Sequence, residues 1–220
     1  ETIEALATGD RTESVIGAAV TGRSGVAGLA QWYGLRRRLD AAALLEHAVA
    51  VDGREVARLR PVGRAPVPWA AKPVTGTVKL SRFAVARAGA RIDAPAGAWA
   101  GARIDAPAGA RAGRSGLVVS HPRSPAVVDL RPELLGPLLE WADSAGFGAA
   151  WGLPADAASA VLGLMSAAAL LVERSGPEAA DPEDDERHAG WAAHDLWLHA
   201  RSRGSRLSAR YGGSYPLAGR

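Results

Sequence analysis

The chain has 220 residues, enough for one large domain or two small ones, and 48% of them are hydrophobic. It contains no cysteine, which excludes disulfide bonds, thiolate catalysis and cysteine-ligated zinc. The net charge of +3 combines 26 basic with 23 acidic residues, and no apolar run reaches the roughly 18 residues needed to cross a bilayer. We therefore expect a cytoplasmic protein with no membrane contact, and the basic excess is too small to indicate nucleic acid.

Residues 1–60 predict helices followed by a β-hairpin. Two helices are expected before Ser24 and a third after it, where apolar residues recur at helical spacing. Two β-like runs, at His47–Val51 and 54–59, then flank Asp52-Gly53, a dipeptide typical of two-residue hairpin turns. Three helices followed by a β-ribbon predict a winged-helix-like module.

A Pro-rich linker at 61–77 leads into a second block at 78–175. The spaced prolines favour an extended backbone in the linker. The second block predicts strands at 78–87, 117–120 and Ala126–Leu130, helices opening at Pro132 and Pro154, and a strand at 170–173. The sequence AAALL ends the helical part of both blocks, at 41–45 and 167–171, which indicates a weak internal duplication. Short Ala/Leu sequences also recur by chance in an Ala-rich chain. We predict an α+β fold with two winged-helix-like modules.

The ten letters GARIDAPAGA occur twice, at 89–98 and 101–110. Each copy contains Pro and Gly, so each is predicted as turn or loop. The pair expands a hairpin loop that we place at 89–115. An extended surface loop is favoured over a ligand site.

The last part of the chain combines an acidic linker at 176–187 with a helix and tail at 188–220. Like charges repel in the linker and should keep it solvated. The helix is expected over about 187–203, with Trp191, Asp195 and Leu198 on one face. His194 and His199 are five residues apart, which is poor spacing for two ligands on one helix, so no metal site is predicted.

Motif searches give no catalytic site. The sequence has no G-x-S-x-G, no P-loop lysine, no H-E-x-x-H and no G-x-G-x-x-G after a strand. No catalytic residue is assigned.

Three groups of residues carry a resemblance to a known family. They are LSRFA at 80–84, GLVVSHP at 116–122 with SPA at 124–126, and Trp191, HDL at 194–196 and HARSR at 199–203 with GGSY at 212–215. With these residues the chain resembles, over most of its length, the SagB-type azoline dehydrogenases that make thiazoles and oxazoles in ribosomal peptide natural products.

The resemblance implies a nitroreductase-like domain that binds FMN and oxidises thiazolines and oxazolines. Members carry this domain after the region matched here, and the sequence ends near where the linker to it is expected. An R-R-S-x-R segment usually holds the FMN phosphate in the family, and this chain lacks it. Arg201, Ser202 and Arg203 form a partial match, and they are the cofactor-binding candidates.

We therefore expect an N-terminal accessory part of such an enzyme, which recognises the precursor peptide and binds no FMN alone. Winged-helix modules in peptide-maturation systems bind leader peptides as an added strand. The partner-binding candidates share the C-terminal helix, and they are Trp191, His194, Asp195, Leu198 and His199. They are expected to dock on the flavin half or on a second copy of the chain.

Two other functions remain open from the sequence. A DNA-binding winged-helix regulator is suggested by Arg36-Arg37-Arg38 on the third helix, which resembles the phosphate-contacting part of a recognition helix. A stand-alone enzyme would use His194, Asp195 and His199. Flavin absorbance would separate an assembled enzyme from an accessory module, and a salt-dependent gel shift would reveal DNA binding.

Overall fold

The computed structural model of the chain describes residues 13–62, 67, 74–92, 114–174, 176, 179–185 and 190–204. These residues form helices and antiparallel strands, so the predicted α+β class is confirmed. The helix expected at 1–8, most of the linker at 61–77 and the second copy of GARIDAPAGA lie outside the described residues.

The first helical element, α1, spans Glu13–Ala41 and reverses direction at Gly25. Gly25 has φ 61° and ψ −158°, a conformation that is essentially restricted to glycine. The reversal brings Arg36 into contact with Glu13, 23 residues earlier in the chain. A straight helix would hold these two residues about 35 Å apart. The element therefore contains the two helices that the sequence predicts on either side of Ser24.

Seven strands follow α1 along the described chain. They are β1 (His47–Val51), β2 (Arg54–Pro61), β3 (Thr77–Leu80), β4 (Val85–Ile92), β5 (Arg114–Ser120), β6 (Ala126–Leu130) and β7 (Leu171–Arg174). Five of them form an antiparallel sheet in the order β1-β2-β6-β5-β4, and β3 pairs with β7 in a separate ribbon. The hairpin predicted around Asp52-Gly53 is confirmed, with both turn residues at positive φ.

The central pairing of the large sheet joins the two blocks of the sequence. β2 pairs with β6 from Ala57 opposite Leu130 to Pro61 opposite Ala126. Leu59 and Leu130 have no exposed surface and belong to one apolar core. The segment boundary expected at residue 60 therefore falls within a sheet that both blocks share.

Two helices of the second block contribute to that core. α2 spans Ser144–Trp151 and α3 spans Ala155–Ala167, and both carry fully buried side chains such as Phe147 and Met165. Asp143 begins α2 by accepting a hydrogen bond from the Gly146 N–H at 2.7 Å. α3 confirms the helix predicted after Pro154, whereas α2 was not predicted.

Two sequence-based expectations in the second block are wrong. The helix expected from Pro132 to Trp141 is replaced by two short 3-10 turns, Pro132–Leu134 and Gly136–Leu139. Pro137 lies inside the second turn, lacks an N–H donor and disfavours a continuous α-helix. The single strand expected at 78–87 is divided into β3 and β4 by a turn at residues 81–84.

Exchange of Gly25 for alanine tests the reversal in α1. Because a Cβ is strained at this φ and ψ, Gly25→Ala should destabilise the element by about 1–3 kcal/mol. Gly22→Ala is the matched control, since Gly22 lies in α1 with no neighbouring atom within 4 Å of its added Cβ. The control should be neutral or stabilising by up to about 1 kcal/mol. Urea titration followed by far-UV circular dichroism measures both variants, and equal effects would contradict the assignment.

Candidate functional site

The outer edge of β1 is the candidate functional site. Among the described strands, β1 pairs with β2 alone and forms one edge of the five-stranded sheet. Asp52 and Gly53 have φ of 51° and 72°, which makes the connection a two-residue turn closed by the pair Val51 and Arg54. A hairpin of this kind places every second residue of the strand in a hydrogen-bonded pair with its partner.

This alternation decides which backbone groups of β1 face outward. Val51, Val49 and His47 pair toward β2, because β1 itself has no extra residue between them. The N–H and C=O groups of Ala48 and Ala50 therefore face the outer edge. Both alanine side chains are exposed and small.

The apolar residues of β1 attach this edge to the core. Val49 and Val51 are half-buried and pack against the core cluster. Leu44, three residues before the strand, is 68% exposed. The edge thus combines outward-facing backbone groups with the half-buried side chains of Val49 and Val51.

The side chain of His47, at the start of β1, contacts Asp40 near the end of α1. Its Nε2 lies 2.9 Å from Asp40 Oδ1, and both side chains are largely buried. Burial lowers the pKa of His47, and the carboxylate of Asp40 opposes this shift only in part. A neutral His47 donates to Asp40, so the helix end and the edge strand are held together by a hydrogen bond.

Charged side chains around β2 neutralise one another. Glu55 is 2% exposed and accepts a hydrogen bond from Arg58 Nε at 2.8 Å. Arg58 also donates to Glu46 at 2.8 Å, and although burial opposes its charge, these carboxylates raise its pKa. Arg60 binds Asp129 through two hydrogen bonds of 2.6 and 2.9 Å. These charges are therefore paired within the sheet and do not form an ionic patch of one sign.

The C-terminal helix, α4, spans Ala193–Gly204, so it begins later than the expected start near residue 187. It carries the partner-binding candidates His194, Asp195, Leu198 and His199, whereas Trp191 lies two residues before it. The rings of Trp191 and His199 meet edge to face, with centroids 5.2 Å apart. Asp195 accepts a hydrogen bond from the N–H of Ala192 at 3.2 Å and lies 3.4 Å from His194. These contacts begin the helix and do not assemble a nucleophile with a base.

The side chains on and just before α4 differ in how much of their surface is exposed. Leu196 is 3% exposed, and sequence reasoning did not single it out. Trp191, Trp197 and Leu198 are 37%, 45% and 60% exposed. Arg201, Ser202 and Arg203 lie in the last turns of α4, and their side chains are outside the described part of the chain.

The basic run of α1 is partly neutralised. Arg36 contacts Glu13 and lies 3.6 Å from Asp40, so its charge is shared with two carboxylates. Arg37 and Arg38 are exposed. A recognition helix needs several cations for phosphate contacts, and this pairing reduces their number.

No metal or membrane element is found in the described part of the chain. Within it, no group of three or more His, Asp or Glu side chains is placed to hold a metal ion. Over the same residues, no helix is long and apolar enough to cross a membrane. Neither a protein-family model nor a curated protein matches the sequence.

A buried histidine beside the sheet gives a pH prediction. Burial, together with the nearby charge of Arg123, lowers the pKa of His121 to about 4, whereas the unfolded value is near 6.5. The unfolded chain takes up the proton first, so this contribution to stability is present above about pH 6.5 and lost as the pH falls to about 4.

His121→Gln should therefore reduce the loss of stability between pH 7 and pH 4 by about 2 kcal/mol. Urea titrations at pH 7, 5.5 and 4 measure the change in the free energy of unfolding. His194→Gln is the control, because the His194 side chain is 84% exposed and should leave the pH profile as it is. If the free energy of unfolding changes with pH in the same way for the wild type and His121→Gln, the prediction is wrong.

Proposed function

We propose that this chain is the peptide-recognition part of an FMN-dependent dehydrogenase, acting in the cytoplasm, that oxidises azolines to azoles in ribosomal peptide biosynthesis. The precursor peptide binds as an added strand, and the flavin-binding half associates with the chain. The resemblance to SagB-type enzymes supports the enzyme class. The outward backbone groups of Ala48 and Ala50 are the observation that carries the peptide-binding part.

An added strand at β1 would gain affinity from the backbone and selectivity from side chains. Its own N–H and C=O groups pair with those of Ala48 and Ala50, whatever the peptide sequence. Its alternate side chains lie on the two faces of the sheet. Those beside Val49 and Val51 extend the apolar core, so the edge favours a peptide with apolar residues at every second position.

The opposite edge of the sheet is less suited to this role. β4 carries an irregular register between Ala88 and Ala90, and Gly89 between them has φ 138°. Arg87 is exposed on the same strand. Bulges and exposed charges on an edge strand discourage pairing with another chain. β1 carries no Lys, Arg or Pro, and its irregularity adds the extra residue to β2.

The winged-helix-like description of the two blocks belongs to the same proposal. In the first block, α1 is followed by the hairpin β1–β2, and in the second, α3 is followed directly by β7. This recurring helix-to-strand order supports the description. A peptide at β1 would then lie beside the helical element that precedes the strand.

Proline substitutions on β1 test the peptide site. Ala48→Pro or Ala50→Pro removes one outward N–H and leaves the pairing with β2, because neither residue donates to that strand. Loss of one backbone hydrogen bond should weaken binding of the fluorescein-labelled precursor peptide about ten-fold, equivalent to about 1.4 kcal/mol. Fluorescence anisotropy measures the affinity.

Ala50→Thr is the matched control, since threonine keeps the N–H and suits an exposed strand position. It should bind the precursor peptide within about two-fold of the wild type. Equal affinities for the proline and threonine variants would exclude the outer edge of β1 as the site. Circular dichroism shows whether each variant retains its fold.

The exposed face of α4 supports docking of the flavin half. Trp191 and Leu198 are exposed, and Trp and Arg are enriched at energetically important interface positions. If FMN is held at the junction, Arg201, Ser202 and Arg203 would contact its phosphate. The geometry of those three side chains lies outside the described residues.

Trp191→Ala should weaken assembly with the flavin half by about 2 kcal/mol or more. Flavin absorbance of the co-purified complex measures assembly, and the chain purified alone should carry no FMN. Stoichiometric FMN on the isolated chain would contradict the proposal that the flavin half binds FMN and this chain binds the peptide. A lower melting temperature of the isolated Trp191→Ala chain, with unchanged assembly, would instead assign Trp191 to internal packing.

A further inference from the structure

The acidic segment at 179–185 is bound to the turn between β3 and β4. Asp181 contacts Lys79 across 102 residues of sequence. Glu183 accepts hydrogen bonds from Ser81 Oγ at 2.5 Å and from the N–H of Arg82 at 2.8 Å. The sequence predicted that charge repulsion would keep this segment solvated. Asp184 and Asp185 are exposed, whereas the carboxylates of Asp181 and Glu183 are bound by Lys79 and by donors of the turn.

Three groups form what we call the carboxylate cradle: the Lys79 ammonium, the Ser81 hydroxyl and the Arg82 backbone N–H. Lys79 belongs to β3, and the turn fixes the other two donors. The N–H of Phe83 donates to Ser81 Oγ at 3.1 Å, which leaves the hydroxyl hydrogen free to point at Glu183. The N–H of Ala84 donates to the Ser81 carbonyl, and that of Ser81 donates to Leu170. None of these bonds involves the acidic segment, so the cradle keeps its shape without it.

An aromatic ring sets the position of the cation. Lys79 Nζ lies 4.9 Å from the centre of the Trp141 ring, and Arg174 lies 4.6 Å from the same ring. The Lys79 side chain is 21% exposed, so it holds a fixed, partly desolvated charge. Such a charge binds a carboxylate more strongly than a freely solvated lysine does.

The acidic segment is held by polar contacts. Its short 3-10 turn, Pro182–Asp184, contains no buried residue. The side chains of Asp181 and Asp184 reach cations, and that of Glu183 reaches the hydroxyl and N–H of the turn. Ion pairs near the surface are weak individually and are screened by salt. A segment bound in this manner can be exchanged for another of the same chemistry.

We propose that the carboxylate cradle is a binding site for an acidic peptide of the form Asp-x-Glu, which residues 181–183 occupy when no such partner is bound. The acidic residues of the partner would take the places of Asp181 and Glu183. The carboxylate cradle involves neither β1 nor the flavin half, so it does not depend on the proposed function.

Peptide binding in trans tests the site. The probe is a fluorescein-labelled peptide of residues 179–187, and the protein is the full chain with Asp181→Asn and Glu183→Gln. Because the internal competitor is weakened, this double variant should bind the probe at least ten-fold more tightly than the wild type. Adding Ser81→Ala should remove this gain, whereas adding Ser166→Ala at an exposed helical position should leave it. Equal binding to the wild type and double variant, or binding to neither, overturns the proposal.

Hydrogen exchange of the Arg82 amide in the wild-type chain gives a second readout that needs no variant. Raising the NaCl concentration to 0.5 M should release the acidic segment and speed this exchange at least three-fold, since salt screens the ion pairs. If salt does not change the exchange rate of the Arg82 amide, the acidic segment is a permanent structural contact and the proposal is overturned. This result does not depend on whether the double variant folds.

Discussion

The pairing of β2 with β6 is the contact on which the rest of the structure depends. The hairpin β1–β2 and the strands β4, β5 and β6 are joined by local connections, but an isolated hairpin is only marginally stable in water. Alignment of β2 with β6 brings Leu59 and Val128 together with no exposed surface. On the other face, Arg60 binds Asp129 across 69 residues of sequence. Closing so long a loop costs entropy, which the shared core offsets.

That pairing also determines which of the described strands lie at the edges of the large sheet. Once β2 and β6 are central, β1 and β4 are the two edges of the sheet. β4 carries the irregularity at Gly89 and an exposed Arg87, whereas β1 presents the backbone of two alanines. The outward backbone of β1, on which the proposed peptide site rests, is therefore a consequence of the strand order. A strand edge needs no side-chain motif, so motif searches of the sequence would not detect it.

Turns and helix starts that depend on neighbouring residues could be predicted from the sequence. Strand pairing and packing between distant residues could not. Asp52-Gly53 fixed a hairpin because both residues tolerate positive φ, and Pro154 marked a helix start. The division of β3 from β4 depends on the Ser81 hydroxyl and on a partner strand some 90 residues later, which no local pattern shows. α2 is rich in small residues and is stabilised by burial of Phe147, so tertiary packing overrides its weak propensity. The strand β1 was predictable, whereas its position at the sheet edge was not.

The two candidate peptide sites bind through different interactions, and this difference separates them experimentally. Hydrogen bonds to the backbone of Ala48 and Ala50 join neutral groups, so their strength changes little with ionic strength. The carboxylate cradle depends on Lys79 and on carboxylates near the surface, where salt screens the attraction over about 10 Å at 0.1 M. A peptide that binds equally well at low and high salt therefore occupies the edge of β1. A peptide that is released as salt increases, and that carries the Asp-x-Glu spacing, occupies the cradle. If one precursor peptide used both sites, its affinity would fall with salt only to the level that the edge alone supports, because the two contributions are independent.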